Sequence, residues 1–212
     1  QGRFIAAGAV IIATGAQPQL LSVKGEEEYT GRGVSYCATC DGAFFRGKTV
    51  AVVGGGDAAV EEAMFLTRFV NKVLLIHRRG ELRATKIVQK RALENPKIDF
   101  IWHNVVDEIY GGDTVEALLV RDVRDNGKKI LNVDGVFLYV GNSPNSWLVR
   151  EIVTLDEKGY IITDENMLTS QPGIYAAGDV RQKLLRQVVT AVADGAVAAV
   201  AAEKYLTEQK PS

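Results

Sequence analysis

The cysteines of the chain stand at Cys37 and Cys40, and there are no others. Cys-x-x-Cys spacing lets two thiols close a small disulfide ring and lowers the pKa of one of them in suitable surroundings. Three readings fit the pair: a redox-active dithiol, one half of a zinc site shared between subunits, or two buried thiols with no chemistry. His77 and His103 are the chain's histidines, and neither is near the pair in sequence, which counts against zinc. A dithiol beside a βαβ nucleotide pattern favours redox chemistry. Asp41 directly follows Cys40. A carboxyl there serves as proton donor and acceptor for thiol exchange, which moves protons with each electron pair. It serves equally well as the first residue of an Asp-Gly turn with Gly42.

A second constellation is Gly54-Gly55-Gly56-Asp57-Ala58-Ala59, which fits G-x-G-x-x-A between an apolar run and a helical pattern. Gly54 permits the tight turn, Gly56 lets the backbone approach a pyrophosphate, and Ala59 allows close helix–strand packing. The helix start at Asp57 and Ala58 would offer unpaired N–H groups to phosphates. A Gly-rich structural turn is the plainer alternative. At the end of the following strand, where NAD sites place an acidic residue, the sequence has His77-Arg78-Arg79, with Arg83 one turn on. A guanidinium suits a 2′-phosphate, so NADPH is expected over NADH, unless these arginines form only a solvated basic patch.

These residues need elements to hold them. Ala9–Ala13 is a short apolar run ending at Thr14-Gly15 and reads as a buried strand. Thr49–Val53 and Val73–Ile76 read as further buried strands. Between them lies a helix carrying Val60, Ala63, Met64, Phe65 and Phe69. Ala84–Asn95 is a helix stopped by Pro96. Ile98–Ile109, Val115–Val123 and Lys129–Val133 look like a β-meander with turns at Gly111-Gly112-Asp113 and Asp125-Asn126-Gly127. Val136–Val140 is a strand running into Gly141, and Gly173–Asp179 is a strand and turn. Leu184–Leu206 is an Ala-rich helix that reads as tightly packed core or as a dimer surface.

Composition narrows the classes. Of 212 residues 47% are hydrophobic and 24% charged, which excludes a disordered chain. The formal net charge of -1 gives no reason to expect nucleic acid or a membrane as a general partner. Two cysteines exclude a disulfide-stapled secreted scaffold and a four-cysteine zinc site. The most apolar stretch, Val188–Ala202, is interrupted by Asp194 and Gly195, so no membrane span is expected. Gln1-Gly2-Arg3 lacks an initiating Met and reads as the middle of a longer protein.

Taken together, Cys37-Ala38-Thr39-Cys40-Asp41-Gly42, Gly54–Ala63, His77-Arg78-Arg79 with Arg83, Gly141-Asn142-Ser143-Pro144, Gly178-Asp179 and Arg186-Gln187 closely resemble the low-molecular-weight, flavin-dependent thioredoxin reductases. The resemblance implies an α/β fold of two-domain flavoprotein disulfide reductase architecture. In it a Rossmann-like NADPH domain with a β-meander is inserted between the halves of an FAD domain. Residues 1–18 would end the first FAD half, 19–141 would form the NADPH domain with the Cys pair, and 142–212 the second FAD half. The first half's own fingerprint, about a hundred residues in a unit of this kind, would lie outside this sequence.

The resemblance also implies roles. Cys40 faces the flavin, Cys37 attacks the thioredoxin disulfide, and Asp41 is the acid–base residue. Gly178 and Asp179 hold the ribityl-phosphate part of FAD, while Arg186 and Gln187 lie at the flavin ring, where an ordinary polar helix face is the alternative. Gly141 and Val188 belong to the cofactor-binding set. The implied cofactors are FAD and NADPH, with no metal. The implied partner is thioredoxin, the implied assembly a homodimer, and the implied setting a reducing cytoplasm. Two other functions fit: a related flavoprotein reductase serving a peroxidase, and a non-catalytic NADPH-binding fragment.

Overall fold

Thr49–Val53 has no polar residue after its first, and a strand apolar throughout has to be covered on both faces. In the computed structural model of the chain, which describes residues 4–209, this run is the central strand of a five-stranded parallel sheet. The Gln1-Gly2-Arg3 start lies outside the described residues. In chain order the described elements are β1 (Val10–Ile12), β2 (Ala16–Pro18), β3 (Val34–Ser35), α1 (Ala38–Asp41), β4 (Thr49–Gly54), α2 (Asp57–Leu66), β5 (Lys72–His77) and α3 (Lys86–Leu93). They continue with β6 (Ile98–Trp102), β7 (Asn104–Gly111), β8 (Val115–Asp122), β9 (Lys128–Asn132) and β10 (Gly135–Tyr139). The last are β11 (Asn142–Pro144), β12 (Ile174–Ala176) and α4 (Val188–Glu208).

The chain divides into two compact units. One is Pro18–Gly141; the other is the described residues up to Gln17 together with those from Asn142 onward. In the first, the sheet order is β3-β10-β4-β5-β6. Alternation along β4 sends Val50 and Val52 to one face and Ala51 and Val53 to the other. Val50 and Val52 meet Val60, Ala63 and Leu66 of α2. Ala51 and Val53 meet Ile109, Leu118 and Val120 of the antiparallel sheet β7-β8-β9. Both faces are thereby dry, as the composition of the strand demands.

The expectation of one meander strand over Ile98–Ile109 needs correction. Ile98–Trp102 is the parallel edge strand β6, paired with β5, and only Asn104 onward belongs to the meander. The break is His103, whose φ of 57° lies in the left-handed region and turns the chain from one sheet into the other. The turn at Asn126 also takes left-handed backbone, with φ 60°. The expected helices are shorter at their ends. α2 stops at Leu66 and α3 spans Lys86–Leu93, flanked by turns in which Pro96 cannot continue a helix.

In the second unit β1 pairs in parallel with β12, and Ile12, Ile161, Ala176 and Val180 form a small core. Asn145 ties its two chain segments together: its N–H reaches Gly15 O at 2.9 Å and its Nδ2 reaches Thr14 O at 2.9 Å. The expectation that β1 is buried holds only for Ile12. Val10 is 48% and Ile11 39% exposed, because among the described residues β1 pairs with one strand, β12. Of the two readings of the Ala-rich helix, tight packing holds for one face only. Asp194, Ala198 and Ala202 are the buried residues of α4, while Val189, Val192 and Val200 are exposed, since only one face of the helix has neighbours. Among the described residues no helix is long and apolar enough to cross a membrane.

Candidate redox pair and nucleotide cleft

β3 delivers the chain to Cys37, which occupies the N-cap of α1 with extended backbone. Its sulfur accepts the Cys40 N–H at 3.2 Å and lies 3.3 Å from Thr39 Oγ1. Cys37 and Cys40 are joined in a disulfide. Cys40 is exposed and Cys37 half-buried. Asp41 does not act as a bare turn former. Its Oδ2 accepts a 2.7 Å hydrogen bond from the hydroxyl of buried Ser35, and the same Ser35 oxygen accepts the Cys37 N–H at 3.1 Å. The next amide, Ala38 N–H, donates to the Tyr139 hydroxyl at 2.6 Å. Burial, followed by the charge of Glu62, pushes the Tyr139 phenol well above the usual tyrosine range, so it stays neutral. Glu62, on α2, has its carboxyl raised by burial and by Glu61, and its Oε2 is buried without a hydrogen-bond partner.

The strand order reverses between β4 and β10, and in open α/β sheets ligands bind outside the carboxyl ends of the strands at such a point. There Gly54 stands opposite Tyr139. Gly54 has φ 154°, and a Cβ on it would come within 2.6 Å of both Ala59 Cβ and Tyr139 O, so only glycine fits. A Cβ on Gly55 would collide with the His77 ring, whereas Gly56, the N-cap of α2, faces open space. The N–H groups of Arg83 and Ala84 bond to Gly55 O at 2.7 and 3.1 Å, which draws the arginine segment against the glycine loop. Asp57 Oδ1 accepts the Thr85 N–H at 2.8 Å, fixing the same approach.

A cleft of about 600 Å³ opens here. Gly54, Gly55, His77, Arg78 and Arg83 line one side, and Asn104, Asp107 and Arg121 of the meander line the other. Gly56, Asp57, Ala58, Arg79 and Gly141 lie outside this lining. Gly141 instead receives the Gln19 N–H on its carbonyl at 2.9 Å. Burial, then the charges of Arg83, Arg79 and Arg78, lowers the His77 pKa, and its buried Nε2 has no hydrogen-bond partner. Arg121 is held through Nε by Asp107 at 3.0 Å, so its charge is already matched.

In the second unit Gly178 takes φ 78° at the turn after β12. Its N–H donates to Asp194 Oδ2 at 3.0 Å. Asp194 also receives Arg181 at 3.1 Å and Lys183 at 2.7 Å, all three side chains being largely buried. Burial alone would raise the Asp194 carboxyl, but the bonds from Lys183, Gly178 and Arg181 outweigh it and hold it below the usual range. Asp179 Oδ1 is buried without a hydrogen-bond partner, an acceptor suited to a ligand hydroxyl. Arg186 stacks its guanidinium 3.9 Å from the Tyr160 ring centroid. Gln187 is the N-cap of α4 in a capping box with Thr190, and Val188 is the first helical residue and 81% exposed.

Ser35, Tyr139 and Asp194 stand out in the structure and not in any motif. Asp194 alone carries a sequence signal, a lone acid in an apolar stretch. The sheet, its glycine loop at the reversal point and the adjacent disulfide define the class: a Rossmann-type α/β protein of flavoprotein disulfide reductase architecture. The chain belongs to the pyridine nucleotide-disulphide oxidoreductase family, whose model matches residues 1–195. It is 53% identical over 205 residues to a thioredoxin reductase of Listeria innocua, covering 96% of this chain and 64% of that protein. It is also 53% identical over 209 residues to a thioredoxin reductase of Peptoclostridium litorale, covering 95% of this chain and 66% of that protein. Among solved structures, thioredoxin reductase from Streptococcus pyogenes matches with a TM-score of 0.90 at 54% identity, over 94% of this chain and 66% of the other. The chain thus spans somewhat under two thirds of the length of these relatives.

Proposed function

We propose that the chain is the dithiol- and nucleotide-bearing part of a thioredoxin-disulfide reductase, passing electrons from NADPH through FAD and Cys37–Cys40 to thioredoxin. One observation carries this reading. A disulfide with a hydrogen-bonded carboxyl beside it, Asp41, lies in the same compact unit as a cleft built from a glycine loop and Arg78 and Arg83. Similarity to reductases of that name supports the choice of partner.

Gly54–Gly56 and the start of α2 at Asp57 and Ala58 would receive the pyrophosphate, and Arg78 and Arg83, with Arg79, the 2′-phosphate. Gly178 and Asp179 would hold the ribityl part of FAD, for which the unpartnered Asp179 Oδ1 is the fitting acceptor. Arg186, Gln187 and Val188 would border its ring. FAD, when bound, supplies the hydride and electron-pair chemistry. The disulfide takes up two electrons and two protons to become two thiols, and Asp41 donates and accepts protons at the sulfurs. A Cys37 thiolate would find the Cys40 N–H and the Thr39 hydroxyl already in place as donors. It attacks one sulfur of the thioredoxin disulfide; the Cys40 thiol then resolves the mixed disulfide, and reduced thioredoxin leaves. A homodimer in a reducing cytoplasm is the proposed setting.

The first measurement is the visible absorption spectrum of the purified chain before and after adding FAD. NADPH consumption with oxidised thioredoxin follows. A bound-flavin spectrum with thioredoxin-dependent consumption of NADPH supports the proposal. Consumption dependent instead on a peroxidase's disulfide-bearing domain assigns the related reductase. A protein that takes up no flavin is a nucleotide- and dithiol-bearing piece whose turnover belongs to a longer chain.

A further inference from the structure

Tyr139 touches both halves of the proposed chemistry. It ends β10 opposite Gly54, its carbonyl oxygen fills the space a Gly54 side chain would need, and it lines the cleft with Val140. Its hydroxyl accepts the Ala38 N–H at 2.6 Å, across 101 residues of sequence. That amide lies in the turn between the two cysteines, where it is the first helical N–H of α1 and has no carbonyl of its own helix to meet. One half-buried side chain thereby joins the wall of the cleft to the backbone of the redox pair. No motif marks it.

Reduction breaks the Cys37–Cys40 bond, and two sulfurs no longer bonded must separate to van der Waals contact. The four-residue turn that carries them has to adjust, and the Ala38 amide moves with it. A hydroxyl bonded to that amide follows, and the backbone that carries its ring borders the cleft opposite Gly54. The two redox forms then present different clefts, and a ligand that distinguishes them must shift the redox equilibrium by the same factor. We propose that Tyr139 is a positioning residue through which occupancy of the dinucleotide cleft and the redox state of Cys37–Cys40 influence each other. This rests on the nucleotide and dithiol reading above.

The test uses NADP+, which fits the cleft without donating electrons. It is titrated calorimetrically into the purified chain with the pair oxidised, and again after reduction by dithiothreitol. In that step dithiothreitol becomes a disulfide as Cys37–Cys40 gains two electrons and two protons. The expected dissociation constants differ about fivefold or more between the two forms. Reciprocity then requires NADP+ to displace the midpoint potential of the pair by about 21 mV, since tenfold corresponds to 29.6 mV for a two-electron couple. In Tyr139→Phe, which keeps the ring and removes the hydroxyl, the ratio should fall to about one. A second readout needs no variant: exchange of the Ala38 amide hydrogen should change when NADP+ binds. An unaltered ratio in Tyr139→Phe overturns the proposal, and so does measurable binding with equal constants in both forms of the wild type. Absence of any NADP+ binding overturns the nucleotide reading itself, a failure distinct from binding without linkage.

Discussion

The Ser35 hydroxyl donates to Asp41 Oδ2 at 2.7 Å while its oxygen receives the Cys37 N–H at 3.1 Å. One buried serine on β3 therefore fixes a carboxylate and the N-cap cysteine relative to each other. With the Tyr139 bond to Ala38, two successive amides at the start of α1 end on side-chain hydroxyls from different strands. The sulfurs sit on a turn of four helical residues, too short to hold its own shape. Its geometry is borrowed from the sheet.

Replacing Ser35 by Ala should therefore act on chemistry and stability together. Asp41 loses its anchoring donor, and the Cys37 N–H loses the Ser35 oxygen it donates to. We expect a loss of about 1–3 kcal/mol in unfolding free energy. Exchange of the reduced pair with a disulfide reagent should slow about tenfold, less than the 10²–10⁴ of removing an acid–base group outright. Ser35→Thr should restore exchange. Lost stability with an unchanged exchange rate and pH profile would make the serine purely structural.

Arg78 and Arg83 line the cleft and Arg79 does not, so the three arginines should separate in a binding assay. Arg78→Ala or Arg83→Ala should weaken NADP+ about 10- to 150-fold, the worth of a hydrogen bond to a charged group. NAD+ affinity should hardly change. Arg79→Ala should affect NADP+ far less. Calorimetric titration of the two nucleotides into each variant decides it, and an equal loss for all three would place the 2′-phosphate elsewhere.

Much of this layout is legible in the sequence. The glycine loop is local in sequence and set by backbone sterics at Gly54. The disulfide turn is local too. The apolar run of β4 announced a strand covered on both faces. What could not be read is long-range. Tyr139 is an ordinary residue until pairing of β3 and β10 brings it beneath Ala38, while Ser35, only two residues before Cys37, belongs to no motif that would mark it. The split of Ile98–Ile109 depended on one left-handed residue, His103, which has no glycine to advertise it. The exposed residues of β1 read as buried because apolar composition reports what can be covered, not what covers it.

His77 gives a pH dependence of known sign. Burial, then Arg83, Arg79 and Arg78, holds its folded pKa below the ordinary value of about 6.5. The unfolded chain therefore binds a proton that the folded chain refuses. The stability contributed by the neutral ring is complete above about pH 6.5 and is lost as pH falls through the folded value. Denaturant unfolding of the wild type should weaken over that interval, and His77→Asn should flatten the slope while costing some packing at every pH. A bound phosphate close to the ring would favour its charged form, so saturating NADP+ should lessen the loss. A slope that survives in His77→Asn would assign it to another group.

Asp194 tests the second unit in the same way. It is the single acceptor shared by Arg181, Lys183 and the Gly178 N–H. Removing one partner of a buried ionic cluster leaves uncompensated charge and costs about 3–5 kcal/mol, so Asp194→Ala should lower stability by that order. Asp194→Asn keeps the shape and loses the charge. In Asp194→Ala the Gly178–Asp179 turn is no longer pinned to α4, and any FAD retained by the wild type should be lost or bound more weakly, as read from flavin fluorescence after gel filtration, whereas the Asn oxygen can still accept the Gly178 N–H and should retain more of it. The pH dependence separates charge from shape. The folded pKa of Asp194 lies below the unfolded value of about 3.9. Its stabilisation is therefore full above that value and disappears as pH falls through the folded one. Thermal melts of wild type and Asp194→Asn should differ most near neutrality and converge as the wild type is acidified below about pH 4. A gap that stays constant down to the acid transition would mean that the side chain acts by shape, and that the two cations are balanced by something other than this carboxylate.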